Sequence, residues 1–175
     1  MGLSYKSLDE ITISKMLEEF NLDITNENVY YSKRFTEDGE KYYKNEMSNH
    51  LLKGSDDSLS DALKKANCFK AQEERKTARG VSLVKVPETA SQTFSEGEYN
   101  RFYIRALCLR AIEEARKICV YRARYSENPR KESESLIGQY LDPNKLLLDL
   151  RNNIGLDTSL GLPQGPNSGL TIELI

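Results

Sequence analysis

The amino-acid sequence predicts an α+β fold that is helix-dominated, with one long central helix packed on a small β-sheet. Residues 98–117 continue for about five turns without glycine or proline, which predicts a central helix over about 96–117. A β-rich run at 81–86 and an alternating run at 119–126 predict the strands of this one sheet, which the C-terminal β-prone segment could join. The last twenty residues become rich in glycine and proline and then end in a β-prone segment, which predicts an extended C-terminal arm.

The first half of the chain is predicted to be mostly helical. Apolar residues at helical spacing predict a helix over about 8–20, and a polar segment ends it. A short strand is predicted at 29–35 and a second helix at 36–54. Helical spacing in the run 55–80 predicts a third helix that stops at its terminal glycine.

The second half contains the central helix and the elements that follow it. The polar run 87–97 is predicted to be a loop or an ordered arm, and Ser95 with Glu98 has the spacing of a capping box at the helix start. A short helix is predicted within 131–138. An aspartate followed by proline predicts a further helix over 142–155.

The chain length suits one domain with an appended arm. With 175 residues, of which 38% are hydrophobic and 30% charged, we predict a globular domain over 1–155 and an arm over 156–175. The arm is too apolar to extend freely into water, and its β-prone end could add a strand to a neighbour's sheet. The predicted interface residues are Leu160, Leu162, Leu170, Ile172, Leu174 and Ile175.

Composition narrows the function classes. A net charge of -2 and a pI near 5.6 argue against binding nucleic acid over the whole surface. No apolar run approaches the roughly 20 residues that cross a bilayer, and the amino terminus lacks the apolar core of a secretory signal, so we expect no membrane partner and a cytoplasmic location, or a virion if a phage encodes the chain. Cys68, Cys108 and Cys119 lack metal-site spacing and are expected to be buried thiols, and we expect no metal and no cofactor.

Basic side chains concentrate in residues 101–131, which hold nine arginines and lysines against three glutamates. Arginine binds carboxylate or phosphate with two parallel hydrogen bonds, so a shared anion site is one interpretation. Intramolecular or intersubunit ion pairs with the acidic first half are the other. The candidate anion-binding residues are Arg101, Arg105, Arg122, Arg124 and Arg130.

Catalytic motifs are weak in this sequence. His50 is the only histidine, and no nucleophile elbow accompanies it. The glycine-rich run 161–169 lacks the Lys-Ser/Thr of a phosphate loop. Twelve of the 27 acidic residues occur as adjacent pairs, whose members point to different faces of a helix.

Three function hypotheses follow from these patterns. The first is a non-enzymatic structural, assembly or adaptor protein, a homo-oligomer or a subunit of a larger complex such as a phage head–tail or tail component. The second is a nucleic-acid or nucleotide-binding regulator that uses the basic segment 101–131. The third is a small enzyme acting on nucleotides or RNA, with His50 or a carboxylate as acid–base.

Overall fold

A computed structural model describes residues 2–77, 80–155 and 168–175, and within these ranges the chain forms six helices and five strands. The helix-dominated α+β prediction is confirmed. In chain order the elements are α1 (Glu10–Thr25), α2 (Glu37–Lys53), α3 (Asp56–Lys65), β1 (Gln72–Thr77), β2 (Gly80–Lys85), α4 (Ala90–Glu113), β3 (Ile118–Arg122), α5 (Lys131–Leu136), β4 (Tyr140–Leu141), α6 (Pro143–Asn152) and β5 (Leu170–Leu174).

The predicted central helix is α4, and α1, α3, α6 and β5 pack against it. It begins at Ala90, so the prediction of a loop over 87–97 is wrong from that residue onward. Ala90 and Phe94 are only 6% and 8% exposed. Tertiary packing of an apolar face supplies most helical stability in proteins. Burial of these two side chains therefore stabilises helical turns before Ser95, where the capping-box spacing predicts the helix start.

The second predicted helix is confirmed, with Thr36 as N-cap and Gly54 as C-cap of α2. The Thr36 side chain accepts a hydrogen bond from the Gly39 amide, with 3.0 Å between Oγ1 and nitrogen. A Cβ at Gly39 would lie 2.2 Å from the carbonyl oxygen of Cys68. Glycine at this position therefore lets the first turn of α2 lie against the connection that follows α3.

The third predicted helix is wrong beyond Lys65, because residues 72–77 form β1. Asn67 adopts a left-handed conformation with φ of 52°, which ends a helix. Strand β1 pairs antiparallel with β2 in register Arg75 to Ser82. The strand predicted at 29–35 amounts to one isolated bridge between Phe35 and Phe69.

The other sheet has three antiparallel strands in the order β4-β3-β5. Strand β5 pairs with β3 in register Val120 to Ile172, so the terminal β-prone segment joins the chain's own sheet. The predicted grouping of 81–86 with 119–126 in one sheet is wrong, because among the described strands β2 pairs with β1 and β3 pairs with β4 and β5. The helix predicted over 142–155 is confirmed as α6, with Asp142 as N-cap.

The core lies between α4 and the elements around it. Phe94 contacts Phe35 and Tyr43 with ring centroids 4.7 and 4.9 Å apart, and Phe20 contacts Phe102 at 5.4 Å. Edge-to-face pairs of this kind add stability beyond the area they bury. Among the described residues, no helix combines the length and apolar character needed to span a membrane.

Candidate functional site

Two of the predicted anion-binding arginines lie inside the protein. Arg105 is 0% exposed and Arg101 is 4% exposed. Arg105 donates from Nε to Glu19 Oε2 at 2.6 Å and from Nη1 to Asp23 Oδ2 at 2.7 Å. Arg101 donates to Glu98 Oε2 at 2.6 Å. Both guanidinium groups are therefore occupied by carboxylates of their own chain.

These contacts form a buried ion-pair network that joins three helices. Arg151 of α6 donates from Nε to Glu19 Oε2 at 3.0 Å, and Arg101 reaches Asp23 of α1 at 3.2 Å. The members of the network are Glu19, Asp23, Glu98, Arg101, Arg105 and Arg151. Three arginines match three carboxylates, so the network carries no excess positive charge for an outside anion.

The spacing of the charges explains the pairing. Glu19 and Asp23 lie one turn apart on α1, and Arg101 and Arg105 lie one turn apart on α4. When the two helices pack antiparallel, this spacing places Arg105 beside Glu19 and Arg101 beside Asp23. The matching spacing is visible in the sequence and could have favoured the ion-pair interpretation for these two arginines.

Protonation of Glu19 is expected to weaken the network and to lower the stability of the folded state. Burial raises the pKa of the Glu19 carboxyl, but hydrogen bonds and positive charge from Arg151 and Arg105 outweigh burial and hold that pKa below its usual value. A depressed folded-state pKa stabilises the fold above the unfolded pKa of about 4.3, and this contribution is lost as the pH falls through the folded value.

We therefore predict that the free energy of unfolding falls below about pH 4.3 and that Glu19→Gln makes this fall shallower. Urea unfolding followed by circular dichroism at several pH values measures the slope. Glu127→Gln, a matched change at an exposed residue, should leave the slope unchanged. An equal slope in wild type and Glu19→Gln would contradict the prediction.

The other three candidate arginines do not converge with the first two. Arg124 pairs with the buried carboxylate of Glu96, and Arg122 donates to the Ser168 carbonyl at 3.1 Å. Arg130 is exposed at the start of α5. The five arginines thus do not form one open anion site.

The predicted interface residues of β5 are core residues of this chain, which corrects the expectation that they contact another polypeptide. Leu170, Ile172 and Leu174 are 1%, 0% and 8% exposed. The outer edge of β5 is also covered, because Asn100 Nδ2 donates to the Leu170 carbonyl at 2.9 Å and the Leu174 amide donates to Ser7 Oγ at 3.2 Å. A strand whose edge is covered in this way is poorly suited to strand addition.

The remaining interface candidates divide into two groups. Ile175 is 51% exposed at the end of β5. Leu160 and Leu162 lie outside the described residues.

His50 lies in the last turn of α2 and faces the start of α3. Its Nδ1 is 2.9 Å from Ser58 Oγ, and burial lowers the pKa of the imidazole. Ser58 forms the capping box of α3 with Ser55. These contacts give His50 a structural role at two helix ends. Among the described residues, no group of three or more His, Cys, Asp or Glu is arranged to hold a metal ion.

The strands β1 and β2 present an exposed surface that the sequence interpretation missed. Side chains alternate between the two faces of a strand, and one face of this hairpin is exposed at every described position. Val81 and Leu83 on it are 61% and 67% exposed. We call this surface the hairpin face, and its residues are Gln72, Glu74, Lys76, Val81, Leu83 and Lys85.

The opposite side of the hairpin is anchored to the body of the protein. Glu73 accepts two hydrogen bonds from Arg34, at 2.6 Å from Nε and 2.7 Å from Nη2. The ion pair fixes which side of the hairpin points away from the helices. The sequence signal for this surface is the two-residue spacing of Val81 and Leu83 in a β-rich run. The signal is incomplete without a partner strand, and the sequence predicts a helix for 72–77.

Comparison with known proteins gives no relative. No protein-family model, no curated protein and no solved structure matches the chain.

Proposed function

We propose that the protein is a non-enzymatic assembly protein, a subunit of a larger complex, that binds a second copy of itself through the hairpin face. The observation that supports this proposal is the exposure of Val81 and Leu83 side by side on a two-stranded sheet. A two-stranded hairpin is marginally stable in water by itself, and burial of its apolar face would stabilise it.

The charges on the hairpin face favour a second copy as the occupant. Leu83 lies opposite Glu74, and Val81 lies opposite Lys76. In the proposed dimer, a two-fold axis lies between the two hairpin faces, perpendicular to the strands at the level of Ser82. This axis would stack β2 of one copy on β2 of the second copy.

This arrangement would put Val81 over Leu83 of the second copy, and Glu74 over Lys76 of the second copy. One surface thus supplies both halves of an apolar and ionic contact, as a two-fold interface requires. A hairpin face lies at the small end of interface sizes, so association should depend on protein concentration.

The two other hypotheses have less support. A nucleic-acid site built on residues 101–131 would need arginines that instead pair with Glu19, Asp23 and Glu96. An enzyme that relies on His50 would need an imidazole that instead bonds Ser58 at a helix end. A cytoplasmic or virion location stays a prediction.

The proposal predicts that Leu83→Glu weakens self-association. A buried, unpaired carboxylate at the centre of the contact should shift the dimer to monomer, whereas the fold should be unaffected because Leu83 is exposed. Light scattering coupled to size exclusion over a range of concentrations measures the mass. Leu148→Glu, at a leucine that is 61% exposed on α6, is the matched control and should retain the dimer. A wild-type protein that stays monomeric at every concentration would contradict the proposal.

A further inference from the structure

A groove lies at the base of the hairpin and borders the hairpin face, with which it shares Gln72 and Lys85. It is bounded by the end of α3, the connection 66–71, the first residues after β2 and the start of α4, and its volume is about 790 Å³. Sites for small ligands and short segments commonly have volumes of several hundred cubic ångströms. The groove is therefore large enough for a few residues of an extended peptide.

The inner wall of the groove is apolar. Leu63, Phe69, Val86 and Ala90 line it, and Phe69 is held by ring contacts with Phe35 at 4.7 Å. Phe69 is partly exposed, while Leu63, Val86 and Ala90 are buried beneath the opening. Phe69 therefore offers most of the apolar surface on which an aliphatic or aromatic side chain of a ligand can lie.

The rim of the groove is basic. Lys64, Lys70 and Lys85 line it together with one carboxylate, Glu88. Glu88 pairs with Lys85 at 3.0 Å. The rim thus keeps an excess of positive charge in a chain whose net charge is -2.

We propose that this groove binds an extended acidic segment of a partner protein, with apolar side chains of that segment on the inner wall and its carboxylates at the lysine rim. A carboxylate-rich segment complements the charge of the rim, and such complementarity fixes orientation and increases the association rate. A nucleic acid would meet the lysines with its phosphates but would leave the apolar wall uncovered. An acidic peptide with apolar side chains can both pair with the lysines of the rim and cover the apolar wall.

The inference goes beyond self-association, because it adds a second partner at a site that only borders the hairpin face at Gln72 and Lys85. Lys64 and Lys70 lie outside the hairpin face, so changes there test the groove alone. With both surfaces in use, the protein would connect copies of itself to an acidic partner.

Fluorescence anisotropy with the full chain tests the groove. The probe is a fluorescein-labelled synthetic peptide that alternates glutamate and leucine. We expect saturable binding that weakens with added salt. Lys64→Glu combined with Lys70→Glu should weaken it by about tenfold or more, since two attractions become repulsions. Lys44→Glu combined with Lys145→Glu, at exposed lysines outside the groove, is the matched control and should bind like wild type.

Three results would overturn the inference. The first is equal binding by the wild type and the Lys64/Lys70 variant. The second is equal binding of a peptide with serine in place of leucine, which would show that the apolar wall takes no part. The third is equally tight binding of labelled oligodeoxythymidine, which would assign the rim to phosphates. Peptide binding by the Leu83→Glu variant would support the groove whether or not the wild type self-associates. The groove and the self-association proposal can therefore fail separately.

Discussion

Replacing Arg105 by methionine is expected to lower the free energy of unfolding by about 3–5 kcal/mol, the usual cost of removing one partner from a buried ion pair. Arg105 is fully buried and holds both Glu19 and Asp23. Methionine has a similar length but no donor, so both carboxylates would lose a partner that they share. A loss of this size is a large fraction of the stability of an ordinary domain, which is about 5–15 kcal/mol.

Urea unfolding followed by circular dichroism measures this effect, and Arg116→Met is its matched control. Arg116 has a 41% exposed side chain and a 3.5 Å pair with Glu114, so its replacement should change stability little. A loss below about 1 kcal/mol in Arg105→Met would contradict the network and return Arg105 to the anion-site hypothesis.

Replacing Ile172 by alanine is expected to lower the free energy of unfolding by about 2–4 kcal/mol, because the change deletes buried methylene and methyl groups and leaves a cavity. Ile172 is 0% exposed and pairs with Val120 at the centre of the β3–β5 ladder. If instead the C-terminal residues lay on another polypeptide, the change would alter assembly and leave the stability of the monomer almost untouched.

Ile175→Ala is the control in the same segment. Ile175 is 51% exposed, and its replacement should change stability by no more than about 0.5 kcal/mol. Similar losses in the two variants would contradict the placement of β5 in the core.

The predictable parts of the fold are those with strong local signals. Thr36 and Gly54 set the ends of α2, and Asp142 with Pro143 sets the start of α6. The central helix was predicted from its uninterrupted run, although its first turn lies upstream, at Ala90. In each case the cap or the periodicity acts within a few residues, so the sequence carries the information directly.

The features that were missed depend on contacts between distant residues. Residues 72–77 alternate poorly and become a strand only through pairing with 80–85. The partners of Arg105 are more than eighty positions away in the sequence. The apolar character of Leu170 and Ile172 predicts burial but does not reveal which surface buries them. Only the fold shows that α4 and β3 do so.

The charge-swap series on the hairpin face tests the central claim, that this surface joins two copies, most directly. Glu74→Lys alone should abolish self-association in sedimentation equilibrium, because each Lys76 would then face a lysine. Glu74→Lys combined with Lys76→Glu should restore it, because the two-fold contact again pairs opposite charges. Equal association in the wild type and both variants, or no recovery in the double variant, would contradict the claim.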